Sequence, residues 1–332
     1  MRLTINHLAL ARSSRGVQRY AELLSPAIEA GARRAGWSIG EYAPGRSSAL
    51  DRLREWVHLG GKDELFWTPC QRGSLLDGAQ VITVHDCINV EHVYRHDWRV
   101  GAFKAIFDRV LERARVVVAI SEATRNALLR CYSVDPKKLT VIRSPSDLPM
   151  APAVPRQITA FPPFVLIVTN SLPHKNTLLA CRAFAASRLP REGVSLCVVG
   201  ALSIEARAVI DRANVRLVEC AGVSDAELVA LYRDCAFLFS PSLAEGHNLT
   251  IAEARCVGAP VLCSDIDVHR EFFQDQAMFF NPTDVDSAVH AIETIWGEVG
   301  PCAERTPATF GRGIDVVAKD YLDLFRRAGE CR

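Results

Sequence analysis

The chain is 332 residues long, which exceeds one ordinary hydrophobic core and fits two domains. Hydrophobic residues make up 49% and charged residues 23% of the sequence, so the composition excludes a disordered or fibrous protein. The net charge of +1 hides an asymmetry, because residues 1–150 carry 22 Lys and Arg against 16 Asp and Glu, leaving 17 against 22 in the remainder. This basic first half indicates either contact with an anionic acceptor or membrane, or merely a solvated basic face.

Membrane spans, secretion signals and disulfides are not expected. No apolar run approaches eighteen residues, and Asn6 and His7 interrupt the stretch where a signal peptide would be apolar, so we expect a cytoplasmic protein. The eleven cysteines form no Cys-x-x-Cys pair, and several lie in apolar runs such as SLCVVG. They are therefore expected to be buried, reduced thiols.

The first half alternates short apolar runs with helical periods, which predicts a parallel sheet covered by helices on both faces. The predicted strands are RLTINHLAL at the start and four later runs, and the predicted helices lie at 16–35, about 97–114 and 122–132. The later strands are ELFWTPC, AQVITVHD, RVVVAIS and KLTVIRSP.

A second α/β domain is predicted after residues 144–163, where six prolines in twenty residues mark a passage between domains. Six more strand-like runs alternate there with helices, and an amphipathic helix at about 309–328 closes the chain. The predicted domains are 1–150 and 151–308, with the last helix packing back on the first domain. The six runs are FVLIVTN, VSLCVVG, VRLVE, AFLFSP, PVLCSD and AMFFNP.

Ligands of open parallel sheets bind beyond the carboxyl ends of the strands, and the segment SLAEGHNLTIAEA follows one such end. A helix starting near Asn248 or Leu249 leaves the amides of His247, Asn248 and Leu249 as donors for an anion such as a diphosphate. Gly246 allows close approach of the backbone to that anion. The segment therefore predicts a phosphate-binding helix start.

Two glutamates, Glu245 and Glu253, lie eight positions apart in this segment. Glu245 would accept hydrogen bonds from sugar hydroxyls, and Glu253 could accept both donors of a vicinal diol. One glutamate for each end of a nucleotide sugar is one interpretation. The other is a charge at a helix start plus an ordinary solvated helix position.

After the strand FVLIVTN comes SLPHKN, which places Lys175 at a predicted helix start with Asn170 and His174 beside it. A lysine there can neutralise a phosphate. The alternative is a solvent-facing lysine, which is the usual outcome for so short a motif.

In the first half, His85 and Asp86 end the strand of VITVHDC, where a histidine can bond a substrate hydroxyl or serve as an ordinary structural residue. Near the start, SSRGVQRY reads as a glycine-bearing loop that opens a helix. Its Arg15, Gly16 and Arg19 suit contact with a phosphate or an acceptor, although basic helix starts are common.

Residues 97–115 interleave aromatic residues with basic residues that include Arg109 and Arg113. Such a helix can lie on an anionic bilayer. Packing of its apolar face against its own sheet is the alternative.

These motifs together resemble the retaining GT-B glycosyltransferases of family 4. The resemblance rests on GVQRY, VHD, AISEATRNAL, VTNSLPHKN, FFNPTD and the long run from GVSDAELV to DVHREF, and it is nearly continuous over residues 164–297. It implies two doubly wound, Rossmann-like lobes with an interlobe cleft and a C-terminal crossover helix.

The resemblance also implies roles for individual residues. Glu245 would contact the hydroxyls of the donor sugar, Glu253 the ribose, Lys175 the phosphates and His85 the sugar near the reacting carbon, while the N-terminal glycine loop falls around Gly16. His85, Glu245 and Lys175 form the implied catalytic set. The donor contacts extend to Asn170, His174, Gly246, His247, Asn248 and Leu249, and the acceptor side to Arg15, Arg19 and Asp86.

This chain departs from the family pattern at the donor site. His247 and Asn248 stand where many members carry Phe-Gly, and Asn170 or His174 stands where many members carry an arginine. Fewer cations would therefore meet the phosphates.

The implied activity is retaining transfer of a hexose from a nucleoside-diphosphate sugar to a glycan or lipid-linked acceptor, without a metal or other cofactor. The stretch SDIDVHREF is similar to bacterial mannosyltransferases of the family, which favours GDP-mannose over a UDP-sugar. Peripheral contact with an anionic membrane is compatible with this activity. A GT-B epimerase and a non-catalytic sugar-nucleotide-binding partner are the alternatives, and nucleic-acid binding is disfavoured because no recognition module is present.

Overall fold

The computed structural model describes residues 1–11, 13–42, 57, 63–76, 79–93, 98–152, 163–301 and 311–330. The chain divides into two compact units, Met1–Pro145 with Arg312–Arg332 as unit 1 and Ser146–Gly311 as unit 2. Each unit contains a six-stranded sheet in which every pairing is parallel. The predicted α/β fold class is therefore confirmed.

The sheet of unit 1 has the order β2-β1-β3-β4-β5-β6. Its described helices before residue 146 are α1 (His7–Leu10), α2 (Arg15–Arg34), α3 (Trp98–Arg113) and α4 (Glu122–Cys131). The strands are β1 (Arg2–Ile5), β2 (Ser38–Glu41), β3 (Glu64–Thr68), β4 (Gln80–Val84), β5 (Val116–Ala119) and β6 (Leu139–Val141).

Two elements of unit 1 differ from the predictions. The run RLTINHLAL, predicted as one strand, leaves the sheet after Ile5, because the Asn6 side chain accepts a hydrogen bond from the Ala9 amide at 3.1 Å and caps α1. Strand β2 was not predicted. It has only four residues, includes Gly40 and lies at the sheet edge, so it carries little apolar pattern.

Unit 2 contains all six predicted strands, in the order β12-β11-β10-β7-β8-β9. The strands are β7 (Phe164–Val168), β8 (Ser195–Val199), β9 (Leu217–Cys220), β10 (Phe237–Ser240), β11 (Val261–Ser264) and β12 (Met278–Phe280). The helices are α5 (Thr177–Ala186), α6 (Ile204–Arg212), α7 (Asp225–Asp234), α8 (Leu249–Cys256), α9 (Asp267–Phe273) and α10 (Val285–Val299). They match the predicted helices to within two residues at each end.

The last helix, α11 (Ile314–Glu330), belongs to unit 1 and packs against α2. Its predicted start at residue 309 lies outside the described residues. The buried face of α11 carries Val317, Tyr321, Leu324 and Phe325, which join the hydrophobic core around β1 and β3. Because these side chains are fully or almost fully buried, α11 is an integral part of the unit 1 core.

The apolar face of α3 is occupied by the sheet of unit 1. Phe107, Val110 and Leu111 are each at most 1% exposed and pack in the core with β4 and β5. Arg109 and Arg113 lie on the exposed face. Among the described residues no helix combines the length and the apolar character needed to cross a bilayer.

The nine described cysteines are free thiols; six are buried, as expected, whereas Cys131, Cys220 and Cys256 are partly exposed. Cys302 and Cys331 lie outside the described residues.

Candidate active site

The candidate site of unit 2 lies at the carboxyl ends of the neighbouring strands β7, β10 and β11. After β7 the chain forms a 3-10 turn, Pro173–Lys175, and after β10 it forms the loop 241–248 that leads into α8. The Leu243 amide donates to the His174 carbonyl oxygen at 2.7 Å, which ties the turn to the loop. Residues 69 positions apart in the chain thus meet at one edge of the sheet.

Lys175 and Glu245 form an ion pair at this edge. The Lys175 Nζ lies 2.6 Å from Glu245 Oε1, and the two side chains are 22% and 10% exposed. The Ser242 hydroxyl donates to the same carboxylate oxygen at 2.7 Å. Burial raises the pKa of Glu245, but the charge of Lys175 and the hydrogen bonds from Lys175 and Ser242 outweigh it, so that the pKa lies below its usual range. Glu245 is therefore an ionised carboxylate.

Helix α8 starts directly after Asn248, whose backbone has φ 77° and ψ 73°. The Asn248 Oδ1 accepts from the Ile251 amide at 3.4 Å and caps the helix. The amides of Leu249 and Thr250 have no acceptor within the helix, as at any helix start, and they lie at the positive end of the helix dipole. The predicted helix start is thus present, and Gly246 is buried in the loop before it.

The side chain of His247 points into unit 2. It is 4% exposed, its Nε2 lies 3.2 Å from the Ser146 hydroxyl, and its ring contacts Phe272 with centroids 4.3 Å apart. Only the main chain of His247 is available to a ligand of this loop.

Glu253 is the fifth residue of α8, and Tyr232 of α7 donates its hydroxyl to Glu253 Oε2 at 3.1 Å. Burial, followed by the charge of Glu253, raises the pKa of Tyr232 well above its usual value, so the phenol stays protonated. Tyr232 therefore orients the carboxylate of Glu253.

Asn170 and His174 shape the turn after β7. Asn170 is exposed, and its Oδ1 accepts from the Leu172 amide at 3.1 Å, as in an Asx turn. His174 is buried within the 3-10 turn. Lys175 is consequently the residue of this turn that presents a cationic head toward the 241–248 loop.

In unit 1, His85 follows β4 and is 7% exposed. Its Nε2 lies 2.9 Å from the Pro69 carbonyl, which can only accept, so Nε2 carries the proton and Nδ1 is left as an acceptor. Burial lowers the pKa of His85 to about 4, against the effect of that hydrogen bond, and the ring is neutral at pH 7. The Tyr20 ring packs edge-on against His85 at 4.7 Å, which brings the VHD and GVQRY motifs together.

The remaining candidates of unit 1 have local roles. Asp86 accepts from the Ile88 amide at 3.1 Å and turns the chain after β4. Gly16 is the second residue of α2 and not part of a loop, and a Cβ there would meet no atom within 4 Å, so neither conformation nor space requires glycine. Arg15 pairs with Glu22 at 2.8 Å on the surface, and Arg19 is half-buried.

The spacing Asp-x-Asp, which can mark a metal site, occurs twice in the chain. In the first instance Asp265 forms a bidentate ion pair with Arg270, with N–O distances of 2.7 and 2.8 Å. In the second, Asp284 caps α10 by accepting from the Asp286 amide at 2.9 Å. The first aspartate of each instance, Asp265 or Asp284, therefore has a structural partner.

Three residues of this edge were missed by the sequence interpretation: Ser242, Tyr232 and His269. Ser242 lies inside the motif SLAEGHN, where a hydroxyl three residues before Glu245 was the available signal. His269 lies in SDIDVHREF, which was used only to infer the donor. Tyr232 carried no signal, because it comes from another helix.

Two protein-family models match the chain. Residues 162–298 match the model described as glycosyl transferases group 1, and residues 54–149 match the model of glycosyltransferase family 4. The O-antigen chain mannosyltransferase RfbU of Salmonella typhimurium is 27% identical over 259 residues, which cover 75% of this chain and 67% of that protein.

Solved structures share the fold. A glycosyltransferase from Rickettsia africae superimposes with a TM-score of 0.67 at 14% identity, covering 100% of this chain and 99% of that chain. Anabaena HepE, solved in complex with UDP, gives a TM-score of 0.62 at 16% identity, covering 98% of this chain and 95% of that chain.

Proposed function

We propose that this chain, which belongs to the GT-B glycosyltransferases of family 4, transfers a hexose from a nucleoside-diphosphate sugar. The acceptor is a glycan or a lipid-linked acceptor of surface polysaccharide synthesis. The observation that carries this proposal is the Lys175–Glu245 pair at 2.6 Å, which joins the turn after β7 to the loop that leads into α8. A cation, a carboxylate and a helix N-terminus at one sheet edge offer partners for the phosphates and the sugar of such a donor.

In the proposed donor complex, Lys175 Nζ and the first amides of α8 bind the diphosphate. Glu245 accepts hydrogen bonds from the sugar hydroxyls, and Glu253, oriented by Tyr232, accepts those of the ribose. Negative charge grows on the diphosphate as its bond to the sugar breaks. The fixed positive groups therefore stabilise the transition state more than the ground state.

The proposed reaction retains the anomeric configuration. The bond from C1 to the diphosphate oxygen breaks, the acceptor oxygen forms a bond to C1 on the same face, and the acceptor proton passes to the departing phosphate oxygen. His85, neutral with Nδ1 as an acceptor, receives a hydrogen bond from a sugar hydroxyl. This route needs no protein nucleophile, unlike that of retaining glycoside hydrolases.

The finer parts of the proposal concern the donor, the metal and the site of action. We favour GDP-mannose because the curated relative RfbU is a mannosyltransferase. A UDP-sugar is the second candidate because HepE was solved with UDP. We propose that no metal is required, and that the enzyme works on the cytoplasmic face of an anionic membrane.

The test is a thermal-shift panel of GDP, UDP, ADP and their sugar conjugates, each measured with EDTA and with Mg²⁺. A ligand at a hundred times its Kd should stabilise the fold by about 2.7 kcal/mol. We expect one diphosphate series to stabilise the wild type in EDTA, and to lose its effect in Lys175→Ala and Glu253→Ala. Lys319→Ala, an exposed lysine of α11, is the matched control. If none of the nucleotides raises the melting temperature, the proposed donor site is wrong.

Incubation of the bound donor without acceptor separates the three functional classes. Slow hydrolysis to the free sugar supports a transferase. An isomerised donor indicates the epimerase, and an intact donor indicates the non-catalytic binding partner.

A further inference from the structure

His269, the third residue of α9, is fully buried behind the loop 241–248 and makes hydrogen bonds with both of its ring nitrogens. Its Nε2 lies 2.9 Å from Asn248 Nδ2, and its Nδ1 lies 2.9 Å from the Ser264 carbonyl oxygen. Asn248 Nδ2 also donates to the Ser240 hydroxyl at 2.9 Å. These contacts join the ends of β10 and β11 to the cap of α8.

The directions of these hydrogen bonds are fixed by their partners. The Ile251 amide can only donate, so the Asn248 atom that faces it is Oδ1 and the atom that faces His269 is the amide nitrogen. The His269 Nε2 must then accept, and Nδ1–H donates to the Ser264 carbonyl. Burial lowers the pKa of His269 to about 4, which keeps the ring in this neutral form at pH 7.

A second set of hydrogen bonds connects Ser264, next to His269, with Glu245. The Ser264 hydroxyl donates to the Ser242 carbonyl oxygen, and the Ser242 hydroxyl donates to Glu245 Oε1 at 2.7 Å. The Ser264 hydroxyl also lies 3.3 Å from His269 Nδ1. Hydrogen bonds from one imidazole therefore lead to the helix cap at one end of the loop and to the carboxylate near its middle.

The backbone of Asn248 explains why such support is needed. Its φ of 77° lies in the left-handed region, which costs about 1 kcal/mol for a residue with a side chain, although asparagine tolerates it best. All the polar atoms of the Asn248 side chain have partners here. The side-chain hydrogen bonds thus hold a backbone conformation that glycine would adopt freely.

We infer that His269 is a positioning residue that holds the 241–248 loop and the N-terminus of α8 in the geometry that receives the donor diphosphate, acting through Asn248 and through Ser264 and Ser242. This inference rests on the proposed function for the identity of the ligand. The order of the loop in the ligand-free protein does not depend on it.

The first measurement is hydrogen exchange of the peptide 242–252 in the ligand-free protein. His269→Leu keeps a similar volume but leaves a buried Asn248 N–H without its partner. It also removes one of two donors to the Ser264 carbonyl oxygen, which keeps the Ile266 amide at 3.1 Å. We expect the amides in the first turn of α8 to exchange at least about tenfold faster in this variant than in the wild type, while the core strand β8 keeps its protection. His269→Gln retains an acceptor toward Asn248 and should restore much of the protection. His290→Leu, an exposed histidine of α10, is the matched control.

The second measurement is the Kd for the diphosphate series that stabilises the wild type, compared with that of its nucleoside, at a temperature where every variant is folded. We expect His269→Leu to weaken diphosphate binding about tenfold, a loss of 1.4 kcal/mol, and nucleoside binding much less. The double variant Asn248→Gly/His269→Leu removes both buried partners and relieves the backbone strain. It should bind the diphosphate more tightly than His269→Leu.

The outcomes distinguish a failure of the positioning role of His269 from a failure of the proposed function. Unchanged exchange of peptide 242–252 in His269→Leu overturns the positioning role, whatever the nucleotides do. Faster exchange with an unaltered diphosphate Kd overturns the link between the loop and the ligand. A wild type that binds no nucleoside diphosphate overturns the proposed function instead, and the exchange result still decides whether His269 orders the loop.

Discussion

At the scale of single residues, the Lys175–Glu245 pair shows how burial and charge set the state of the site. Glu245 is only 10% exposed, and without a cation the hydrogen bond from Ser242 would not offset the hydration that its carboxylate loses. The ion pair resolves this in the ligand-free chain. It also holds the Lys175 ammonium beside the loop where the phosphates of a donor would bind.

We predict that Lys175→Met destabilises the protein by about 2–4 kcal/mol at pH 7, because a buried carboxylate is left unpaired. Without Lys175, burial dominates and raises the pKa of Glu245 above its value in the unfolded chain. The penalty then applies above that unfolded value and shrinks as the pH falls through the folded pKa. Urea unfolding of the variant and the wild type between pH 7 and 4 should show the gap in stability closing.

The control for this prediction is the pair Lys175→Met/Glu245→Gln, in which no uncompensated charge is left. It should recover most of the stability at pH 7 but not the binding of the diphosphate. A gap that is constant with pH, or a double variant as unstable as the single one, would show that the charge of Glu245 is not the cause.

At the scale of elements, a buried chain of hydrogen-bonded hydroxyl groups connects helix α11 to the sheet of unit 1. The Tyr321 hydroxyl lies 2.8 Å from that of Tyr20 in α2 and 3.0 Å from that of Thr83 in β4. Trp67 donates its indole N–H to the same Thr83 oxygen at 3.1 Å. Burial raises the pKa of Tyr321 to about 12, so the phenol remains neutral. Thr83 precedes His85 by two residues, so the helix is coupled to the strand that positions this histidine.

Removal of the Tyr321 hydroxyl tests whether these hydrogen bonds stabilise the packing of α11. We expect Tyr321→Phe to lower the free energy of unfolding by about 1–3 kcal/mol, since the hydroxyls of Tyr20 and Thr83 lose a partner inside the core. Chemical denaturation measures this loss. The substitution Tyr132→Phe, at a tyrosine whose ring packs against Phe107 outside this hydroxyl chain, is a matched control. Equal stability of Tyr321→Phe and the wild type would mean that apolar packing alone holds α11.

At the scale of the whole molecule, charge is distributed unevenly along the chain, with 22 basic against 16 acidic residues in 1–150 and 17 against 22 in the rest. The apolar face of α3 is buried, so it is not available for insertion into a bilayer. Any contact of this helix with a membrane would have to be electrostatic and made by its exposed face. Arg109 on that face is already paired with Glu112, which limits the charge it offers.

We predict that the protein co-sediments with vesicles containing anionic lipid and not with neutral vesicles, and that binding falls as salt is raised. The variant Arg109→Glu/Arg113→Glu should lose this binding. Arg212→Glu/Arg233→Glu makes the same change of charge on exposed positions of unit 2 and should not. Binding that is insensitive to salt and to the α3 variant would contradict membrane contact through this surface.

Much of the fold followed from local pattern. The strands of unit 2 are short apolar runs that parallel pairing buries on both faces, so each run is visible in the sequence. The edge strand β2 was not predicted because its four residues are half polar. The run after Ile5 was wrongly predicted as strand because the cap at Asn6 is a side-chain interaction. The helix start at Leu249 was within reach, since a polar cap precedes an apolar period.

The sequence by itself determined the two α/β domains, the position of the candidate site after β7 and β10 with Glu245 and Lys175 as its candidate residues, and His85 as a candidate residue of unit 1. These depend on residue type and on order along the chain, which periodicity and motif record. Only the tertiary structure decided that Lys175 meets Glu245, that the His247 side chain turns inward, and that His269 supports Asn248. Such contacts join residues that are distant in the chain, and their direction depends on burial and on which hydrogen-bond partner packing provides.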